Sequence, residues 1–255
     1  MNRKPLIIGH RGAAGLAPEN TLISVETALR LGVHRIEIDI HQTYDHKIVV
    51  IHDDTTNRTT DIKGQIKKMT YDQLSKANAA KLFPHFSFQK VPLLEEVIDL
   101  VNGRVPIHLE LKHSYRKYPG IENRIHRIIK DFNAFDWIYV NSFDNVVLRR
   151  FHQINPNIVL HKLLVFNAGI IQRDKYVSAG RLQRFHFVTE FGVSYKYVTP
   201  LLVQKIHRMN KKINVWTVNE PRQMLRMALM NVDGIITDFP DRALELFYPS
   251  TRAGH

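Results

Sequence analysis

The sequence predicts an α/β fold of the (β/α)8 barrel class. Short β-branched segments alternate with amphipathic segments from one end of the chain to the other. Strands that alternate with helices pair in parallel, because each helix returns the chain to the end of the sheet where the next strand begins. Eight such units in 255 residues match the size of a closed TIM barrel. We expect residues 1–255 to form one barrel domain.

Eight segments are predicted to be strands and six to be helices. The predicted strands are Pro5–Ile8, Arg35–Ile40, Pro106–Leu111, Trp137–Asn141, Ile158–Lys162, Phe185–Thr189, Ile213–Val218 and Asp233–Thr237. The predicted helices are Thr21–Leu31, Leu93–Val101, Ile121–Phe132, Asn145–Gln153, Pro200–Met209 and Pro221–Met230.

Both ends of the first helix are marked in the sequence. Asn20 or Thr21 can cap its N-terminus, because each carries a side-chain oxygen that accepts a hydrogen bond from the first turn. Gly32 follows Leu31, at the position where a left-handed residue ends many helices. A helix is therefore expected between the first and second strands.

The second strand shows which face of the barrel wall is polar. Its period of two places three isoleucines on one face and Glu37 and Asp39 on the other. The apolar face of a barrel strand meets the helices, so both carboxylates should point inward near the end of the strand. Glu110 and Lys112 repeat this pattern on the third strand. Active sites in such barrels lie at the C-terminal rim.

A hairpin is predicted directly after the second strand. The apolar run that ends in His52 and Asp53 would fold back across a turn centred near Asp45. His52 would then lie opposite the inward carboxylates of the second strand. His10 and Arg11 end the first strand, which neighbours the second in a sequentially wound barrel. All these side chains are expected at one rim.

The alternation of strands and helices is interrupted between about residues 54 and 90. This segment has little apolar periodicity, which predicts an insertion between the second and third barrel strands. A long insertion above a barrel usually shapes a binding site, and a variable surface loop is the alternative. Phe83, Phe86 and Phe88 in this segment could form a groove for an acyl chain or could cover the barrel mouth.

Three inward carboxylates, Glu37, Asp39 and Glu110, require a cation. Charged side chains are almost never buried unless they are paired or bound to a metal. A divalent metal suits carboxylate oxygens, whereas Lys112 could supply the charge in a plain salt-bridge network. Histidines titrate near neutrality, so a metal beside two of them indicates cleavage of a phosphate ester.

The amino-acid composition excludes several classes of function. Lys and Arg number 36 against 24 Asp and Glu, and a net charge of +12 favours anionic partners. The basic residues are dispersed without a recognition-helix pattern, so nucleic-acid binding is not expected. The absence of cysteine excludes disulfides and thiolate chemistry. The apolar run Leu6–Ile8 is too short for a signal peptide or a membrane span, so a cytoplasmic protein without stable membrane insertion is expected.

Ten short motifs, in chain order, form a pattern typical of one family. They are His10-Arg11-Gly12, Pro18-Glu19-Asn20-Thr21, Glu37-x-Asp39, Thr43-x-Asp45, His52-Asp53, Arg58-Thr59-Thr60, Val91-Pro92 before Glu95, Glu110-Leu111-Lys112, Trp216-Thr217-Val218-Asn219 and the segment from Asp233 to Pro240. This pattern resembles the glycerophosphodiester phosphodiesterase family over nearly the whole chain. The resemblance implies a (β/α)8 barrel that hydrolyses glycerophosphodiesters to glycerol 3-phosphate and an alcohol, with Mg²⁺ or Ca²⁺ as cofactor.

The resemblance also implies roles for the residues of the predicted site. Glu37, Asp39 and Glu110 look like the metal ligands. His10 and His52 look like the general acid and base, with either histidine in either role. The attacking group would be water or the substrate's own 2-hydroxyl.

Five further residues are implied around this centre. Arg11 and Lys112 would hold phosphate oxygens. Trp216 would line the glycerol pocket, with ordinary core packing as the alternative. Glu19 and Asn20 would organise the loop beneath His10, and a place near the metal is also open to Glu19.

Three functions are compatible with the sequence. The leading one is hydrolysis of deacylated phospholipid head groups such as glycerophosphocholine or glycerophosphoethanolamine. The second is a lysophospholipase D activity, which uses similar chemistry on an acylated substrate and needs an apolar groove. The third is a non-enzymatic basic barrel that binds anionic membranes or nucleic acid and would keep its salt-dependent binding without metal or His10. The oligomeric state is left open.

Overall fold

Eight parallel strands close into a barrel within the part of the chain that the computed structural model describes, residues 3–114, 116–164 and 182–249. The barrel strands are β1 (Leu6–His10), β2 (Arg35–Gln42), β4 (Ile107–Leu111), β5 (Ile138–Ser142), β6 (Val159–Leu164), β7 (Glu190–Ser194), β8 (Lys212–Trp216) and β9 (Gly234–Thr237), and β3 (Ile48–Val50) lies outside the ring. Because β1 pairs with both β2 and β9, the sheet has no free barrel edge. The (β/α)8 prediction is confirmed.

The helices lie outside the barrel and return the chain between strands. They are α1 (Leu22–Leu31), α2 (Tyr71–Leu74), α3 (Leu94–Val101), α4 (Ile121–Asp131), α5 (Asn145–Ile154), α6 (Pro200–Arg208), α7 (Pro221–Leu229) and α8 (Pro240–Phe247). Thr21 caps α1 and Gly32 ends it in a left-handed conformation, as predicted. None of the helices in the described ranges has the length and apolar character needed to cross a membrane.

The main core lies between the strands and the helices. Alternate strand residues such as Ile36 and Ile38 point outward and are fully buried in one cluster with Val25 of α1 and Val97 of α3. This arrangement follows from the period of two in β2, because an apolar outward face leaves the inward face to polar side chains. The functional candidates therefore point into the barrel.

The predicted hairpin after β2 is confirmed in position and register. β3 pairs antiparallel with β2, with Ile40 opposite Val50 and Gln42 opposite Ile48. This register brings His52 over the inward face of β2, as the sequence predicted. The following segment returns to the barrel at α3 and contains α2 and a short 3₁₀ turn, Ile66–Lys68.

The predicted sixth barrel strand is wrong. Phe185–Thr189 was expected to be extended, but the strand is Glu190–Ser194. The Phe185 and Val188 side chains are buried in a turn that leads into β7. The true strand escaped detection because the inward Glu190 and Gly192 interrupt its apolar pattern.

The barrel interior below the rim is polar. Arg35 Nη1 donates to both Glu190 oxygens at 2.9 Å, and the Nδ1 atoms of His108 and His161 lie 3.2 Å apart. Asn214 donates to Glu190 at 2.5 Å. Burial raises the pKa of Glu190, but the two histidines and Arg35 outweigh it and lower that pKa to about 2. The Arg35–Glu190 ion pair and two buried histidines thus fill the centre of the barrel.

Candidate active site

Three carboxylates converge at the C-terminal rim of the barrel. Glu37 and Asp39 point inward from β2, and Glu110 lies opposite Asp39 on the neighbouring β4. One oxygen from each side chain lies within 4.8 Å of the others. All three residues are buried. The structure therefore brings together the acidic group that the strand pattern predicted.

Asp39 is held by partners on both of its oxygens. The Asn20 side chain donates to Asp39 Oδ2 at 2.9 Å and accepts the Asp39 backbone N–H at 3.1 Å. Lys112 Nζ lies 2.8 Å from Oδ1, and Arg11 Nε lies 3.2 Å from Oδ2. Burial raises the pKa of Asp39, but Lys112 and Arg11 outweigh it and hold that pKa well below its usual range. Asp39 is therefore ionised at neutral pH.

Glu37 has fewer partners than Asp39. Its Oε2 accepts the Arg11 backbone N–H at 3.0 Å, whereas its buried Oε1 has no hydrogen-bond partner among the described residues. Burial and the charges of Asp39 and Glu110 raise the pKa of Glu37 well above its usual range. A divalent cation takes several oxygen ligands and would satisfy this oxygen. The residues present therefore fit a divalent metal.

Lys112 also contacts two of the carboxylates. Its Nζ lies 2.5 Å from Glu110 Oε1 and 2.8 Å from Asp39 Oδ1. Burial lowers the pKa of Lys112, but Asp39 and Glu110 outweigh it and raise that pKa above its ordinary value. This is the salt-bridge network that the sequence offered as the alternative to a metal. The network leaves Glu37 Oε1 without a partner, so Lys112 alone does not satisfy the cluster.

His10, at the end of β1, lies beside the acidic group. Its Nε2 is 3.8 Å from Glu37 Oε2, and its Nδ1 is 2.6 Å from Asp238 Oδ1. Asn219 fixes Asp238 in turn, because its side chain donates to Oδ2 at 2.6 Å and accepts the Asp238 backbone N–H at 3.0 Å. With Nδ1 engaged by a carboxylate, Nε2 is the nitrogen directed towards the acidic group.

His52 has an equivalent carboxylate partner. Its Nδ1 is 2.5 Å from Asp53 Oδ1. Arg58 donates to both oxygens of Asp53 at 2.9 Å and to the oxygens of Glu19 at 2.7 and 2.8 Å, and Glu19 also accepts from Arg11 at 2.8 Å. Burial lowers the pKa of His52 below its ordinary value, so this imidazole is neutral at pH 7.

The turn after β1 has a strained backbone. Arg11 has a φ of 51° and Asn20 a φ of 58°, both in the left-handed region that non-glycine residues rarely adopt. The Arg11 carbonyl accepts the Asn20 N–H at 3.0 Å and the Ser24 hydroxyl at 2.8 Å, which stabilises this conformation. Such strain persists where the surrounding structure holds it, often at functional sites. Here it directs the Arg11 N–H and guanidinium at the carboxylates.

A cavity of about 270 Å³ opens beside these residues. One wall carries the histidines and charged groups, and the other is formed by Phe143, Leu163, Trp216 and Ile236. The Trp216 and Phe143 rings meet edge to face with centroids 5.7 Å apart. A small cavity with one charged and one apolar wall suits a small molecule with an anionic end and a carbon skeleton.

The structure brings all ten candidate residues into one connected group. Those that line the cavity are His10, Arg11, Glu37, His52, Glu110, Lys112 and Trp216, and those that support them are Glu19, Asn20 and Asp39. Four further residues of this group stand within the sequence motifs but had no predicted role: Asp53, Arg58, Asn219 and Asp238. A signal was available for Asp238, because it directly follows the last strand, which neighbours the first strand and His10 in a closed barrel.

Comparison with known proteins identifies the family. A model of the "Glycerophosphoryl diester phosphodiesterase family" matches residues 10–242. The chain belongs to this family. A relative from Bacillus altitudinis named glycerophosphodiester phosphodiesterase is 38% identical over 244 residues, which cover 94% of this chain and 97% of the relative. Membership confirms that the chain is an enzyme, a phosphodiesterase, rather than a non-enzymatic basic barrel.

Solved structures share the fold of this phosphodiesterase. One from Silicibacter pomeroyi, named for the same family, is 27% identical with a TM-score of 0.84 and covers 95% of this chain and 93% of its own. An Oleispira antarctica phosphodiesterase, solved in complex with the product sn-glycerol-3-phosphate, is 23% identical with a TM-score of 0.83 and covers 95% of this chain and 96% of its own.

Proposed function

We propose that this phosphodiesterase hydrolyses glycerophosphodiesters, such as glycerophosphocholine and glycerophosphoethanolamine, to sn-glycerol 3-phosphate and the free alcohol. The Oleispira antarctica phosphodiesterase holds this product, and we assign the same product here. The observation that carries the proposal is the buried, unpartnered Oε1 of Glu37 within a three-carboxylate cluster beside two histidines. Such a group combines a cation site with two proton carriers.

Glu37, Asp39 and Glu110 would hold a divalent cation, Mg²⁺ or Ca²⁺, because their oxygens suit hard ions. When bound, such an ion supplies positive charge to the nonbridging phosphate oxygens as negative charge develops on them. Arg11 and Lys112 line the same cavity and would donate hydrogen bonds to these oxygens. Both side chains are half-buried and paired with carboxylates, so each is already positioned before the substrate arrives.

His10 and His52 would carry the protons of the reaction. One imidazole accepts the proton of the attacking oxygen as the new bond to phosphorus forms, and the other donates a proton to the departing alcohol oxygen as its bond breaks. Asp238 and Asp53 hold the two Nδ1 atoms, so Nε2 performs the transfer in each case. Positioned proton transfer of this kind accelerates a reaction roughly a hundred- to ten-thousand-fold.

The dimensions of the cavity favour a deacylated substrate. Its volume of about 270 Å³ fits a small diester, and Trp216 and Phe143 offer an apolar wall for the glycerol carbons. The aromatic residues of the insertion, Phe83, Phe86 and Phe88, are not among the residues that line this cavity. Among the described residues, these three aromatic side chains therefore do not form the acyl groove that a lysophospholipase D would need at this cavity.

The proposal is tested by release of sn-glycerol 3-phosphate from glycerophosphocholine, beside lysophosphatidylcholine as the acylated substrate. We expect activity on the first substrate, and a loss of at least about a hundredfold in His10→Gln and in His52→Gln. His186→Gln changes an exposed histidine outside the site and should keep full activity. Hydrolysis of lysophosphatidylcholine alone, or unchanged rates in both site variants, would contradict the proposal.

A further inference from the structure

A short loop in the insertion has a closed neck. Residues 80–88 are called the rim loop here. The two residues that flank this loop are joined by a backbone hydrogen bond, because the Ala79 N–H donates to the Gln89 carbonyl at 2.6 Å. The side-chain oxygen of Asn78 accepts the Ala80 and Gln89 N–H groups at 3.0 and 3.1 Å. A loop whose ends meet in this way is an Ω-loop, a type that is often functional. These hydrogen bonds hold the two ends of the rim loop together.

The rim loop exposes bulky apolar side chains. Leu82, Phe83, Phe86 and Phe88 account for four of its nine residues, and none of them is buried. Leu82 is 55% exposed and Phe88 is 56% exposed. Phe83 and Phe86 meet edge to face with centroids 5.9 Å apart, so they support each other within the loop. A cluster of this kind indicates an interaction surface rather than a single tolerated apolar residue.

The rim loop lies at the same end of the barrel as the candidate site. Lys81 Nζ donates to the Asn57 carbonyl at 2.6 Å, and the Asn78 N–H donates to Asp61 at 2.7 Å. Asn57 precedes Arg58, which contacts both Asp53 and Glu19 in the site. The loop is therefore attached to the turn that holds the partner of His52.

The insertion that contains the rim loop is basic. Residues 54–90 contain seven Lys and Arg against three Asp. Two of the aspartates, Asp54 and Asp72, are in ion pairs with lysines, whereas Lys63, Lys67 and Lys68 are exposed. The insertion that carries the exposed apolar side chains therefore has an excess of positive charge.

We propose that the rim loop docks the enzyme onto an anionic lipid bilayer surface. Apolar side chains enter the boundary between head groups and acyl chains, while lysines attract anionic head groups at roughly 1 kcal/mol each. An acyl chain of a single substrate molecule is a weaker candidate, because no rim-loop residue lines the candidate site's cavity. Docking would hold the mouth of the site near a surface where phospholipid-derived diesters form. Binding of the rim loop to a bilayer does not depend on hydrolysis at the candidate site.

The test is co-sedimentation of the full chain with vesicles of phosphatidylcholine, with and without phosphatidylglycerol. We expect binding only with phosphatidylglycerol, and weaker binding as salt rises. The double variant Leu82→Ser/Phe88→Ser should bind at least about tenfold more weakly, because two apolar contacts are lost. The control is Leu229→Ser, which changes a 75% exposed leucine at the C-terminal end of α7, the end of the barrel opposite the site. This variant should bind like the unchanged protein.

Each alternative result would overturn the inference. These are no binding to either vesicle, equal binding of the double variant, or an equal loss in Leu229→Ser. Circular dichroism and hydrolysis of a soluble diester are measured on the same variants and should be unchanged, which shows that the rim-loop substitutions leave the fold and the site intact. If the unchanged protein failed to hydrolyse any diester yet bound vesicles through the rim loop, only the proposed function would fail.

Discussion

Glu37 is buried beside two other carboxylates, and one of its oxygens has no hydrogen-bond partner among the described residues. We expect Glu37→Gln to lower hydrolysis at least about a hundredfold, since one charge of the cation site is lost. The same substitution should raise the midpoint of thermal unfolding in EDTA, because a buried repulsion is removed. Activity and thermal unfolding measured on one preparation check both effects. A less stable protein with full activity would contradict this account of Glu37.

We expect Asp238 to act through His10, because it contacts the Nδ1 atom of that imidazole and is not among the residues that line the cavity. We expect Asp238→Asn to lower kcat roughly ten- to a hundredfold with little change in KM, because the imidazole loses the partner that fixes its Nδ1. Steady-state kinetics against glycerophosphocholine measure the two constants separately. Asp131→Asn, an exposed carboxylate at the end of α4, is the matched control. A change in KM alone would show that Asp238 has a different role.

At the scale of single residues, the sequence alone predicted where the carboxylates of the second strand lie. It did not predict the contacts that join distant residues of the site. Glu37 and Asp39 follow from alternation within one strand, which is a local property. The contact between His10 and Asp238 joins residues 228 positions apart and exists only because the barrel closes. The bonds from Arg58 to Glu19 depend in the same way on how the insertion folds back over the rim.

The turn between β1 and α1 depends on Gly12. Its φ is +87°, and a Cβ at this position would lie 2.5 Å from Ser24 Oγ and 2.6 Å from the Ser24 backbone. We expect Gly12→Ala to cost more than the roughly 1–3 kcal/mol of left-handed strain alone and to lower activity, because the clash displaces Arg11. Gly32→Ala is a matched control, since its φ is +81° with no atom within 4 Å of the added Cβ.

Urea unfolding and the diester assay distinguish the effects of the two glycine substitutions on stability and on activity. Gly32→Ala should lose only about 1–2 kcal/mol of the free energy of unfolding and keep its activity. Equal losses in both variants would show that the contact with Ser24 is not what shapes the site.

At the scale of elements, helices were easier to locate than one of the strands. The ends of α1 agree with its cap residues, Thr21 and Gly32, because capping is local chemistry. β7 was misplaced because Glu190 faces a buried ion pair with Arg35, 155 residues away. An inward charge looks like an exposed loop residue until its partner is known. The hairpin register was predictable, because a turn centre fixes which residues face each other.

At the scale of the whole molecule, the polar barrel interior makes stability depend on pH. Burial lowers the pKa of His161 to about 4 and that of His108 well below its ordinary value. At these two histidines the unfolded chain then binds more protons than the folded chain as pH falls from about 6.5 to 4, so their contribution to the free energy of unfolding should fall with pH. The slope is on the order of 1.4 kcal/mol per pH unit for each histidine. Full stability is expected above pH 6.5.

Chemical unfolding across this range measures the slope. His161→Gln should reduce it, because one of the buried histidines that titrate in this range is removed. Glu190 contributes its own loss as pH falls from about 4.5, its ordinary pKa, to about 2. The same slope in His161→Gln and in the unchanged protein would contradict the assignment of a neutral His161 in the barrel.

The central claim is that Glu37, Asp39 and Glu110 hold a divalent cation that hydrolysis requires, and that two histidines carry the protons. The most direct measurement is release of sn-glycerol 3-phosphate from glycerophosphocholine by protein treated with EDTA, before and after addition of Mg²⁺ or Ca²⁺. We expect no activity in EDTA, recovery with at least one of the two ions, and no recovery in Glu37→Gln. Full activity in EDTA would contradict the claim and would leave Lys112 and Arg11 as the cations of the site.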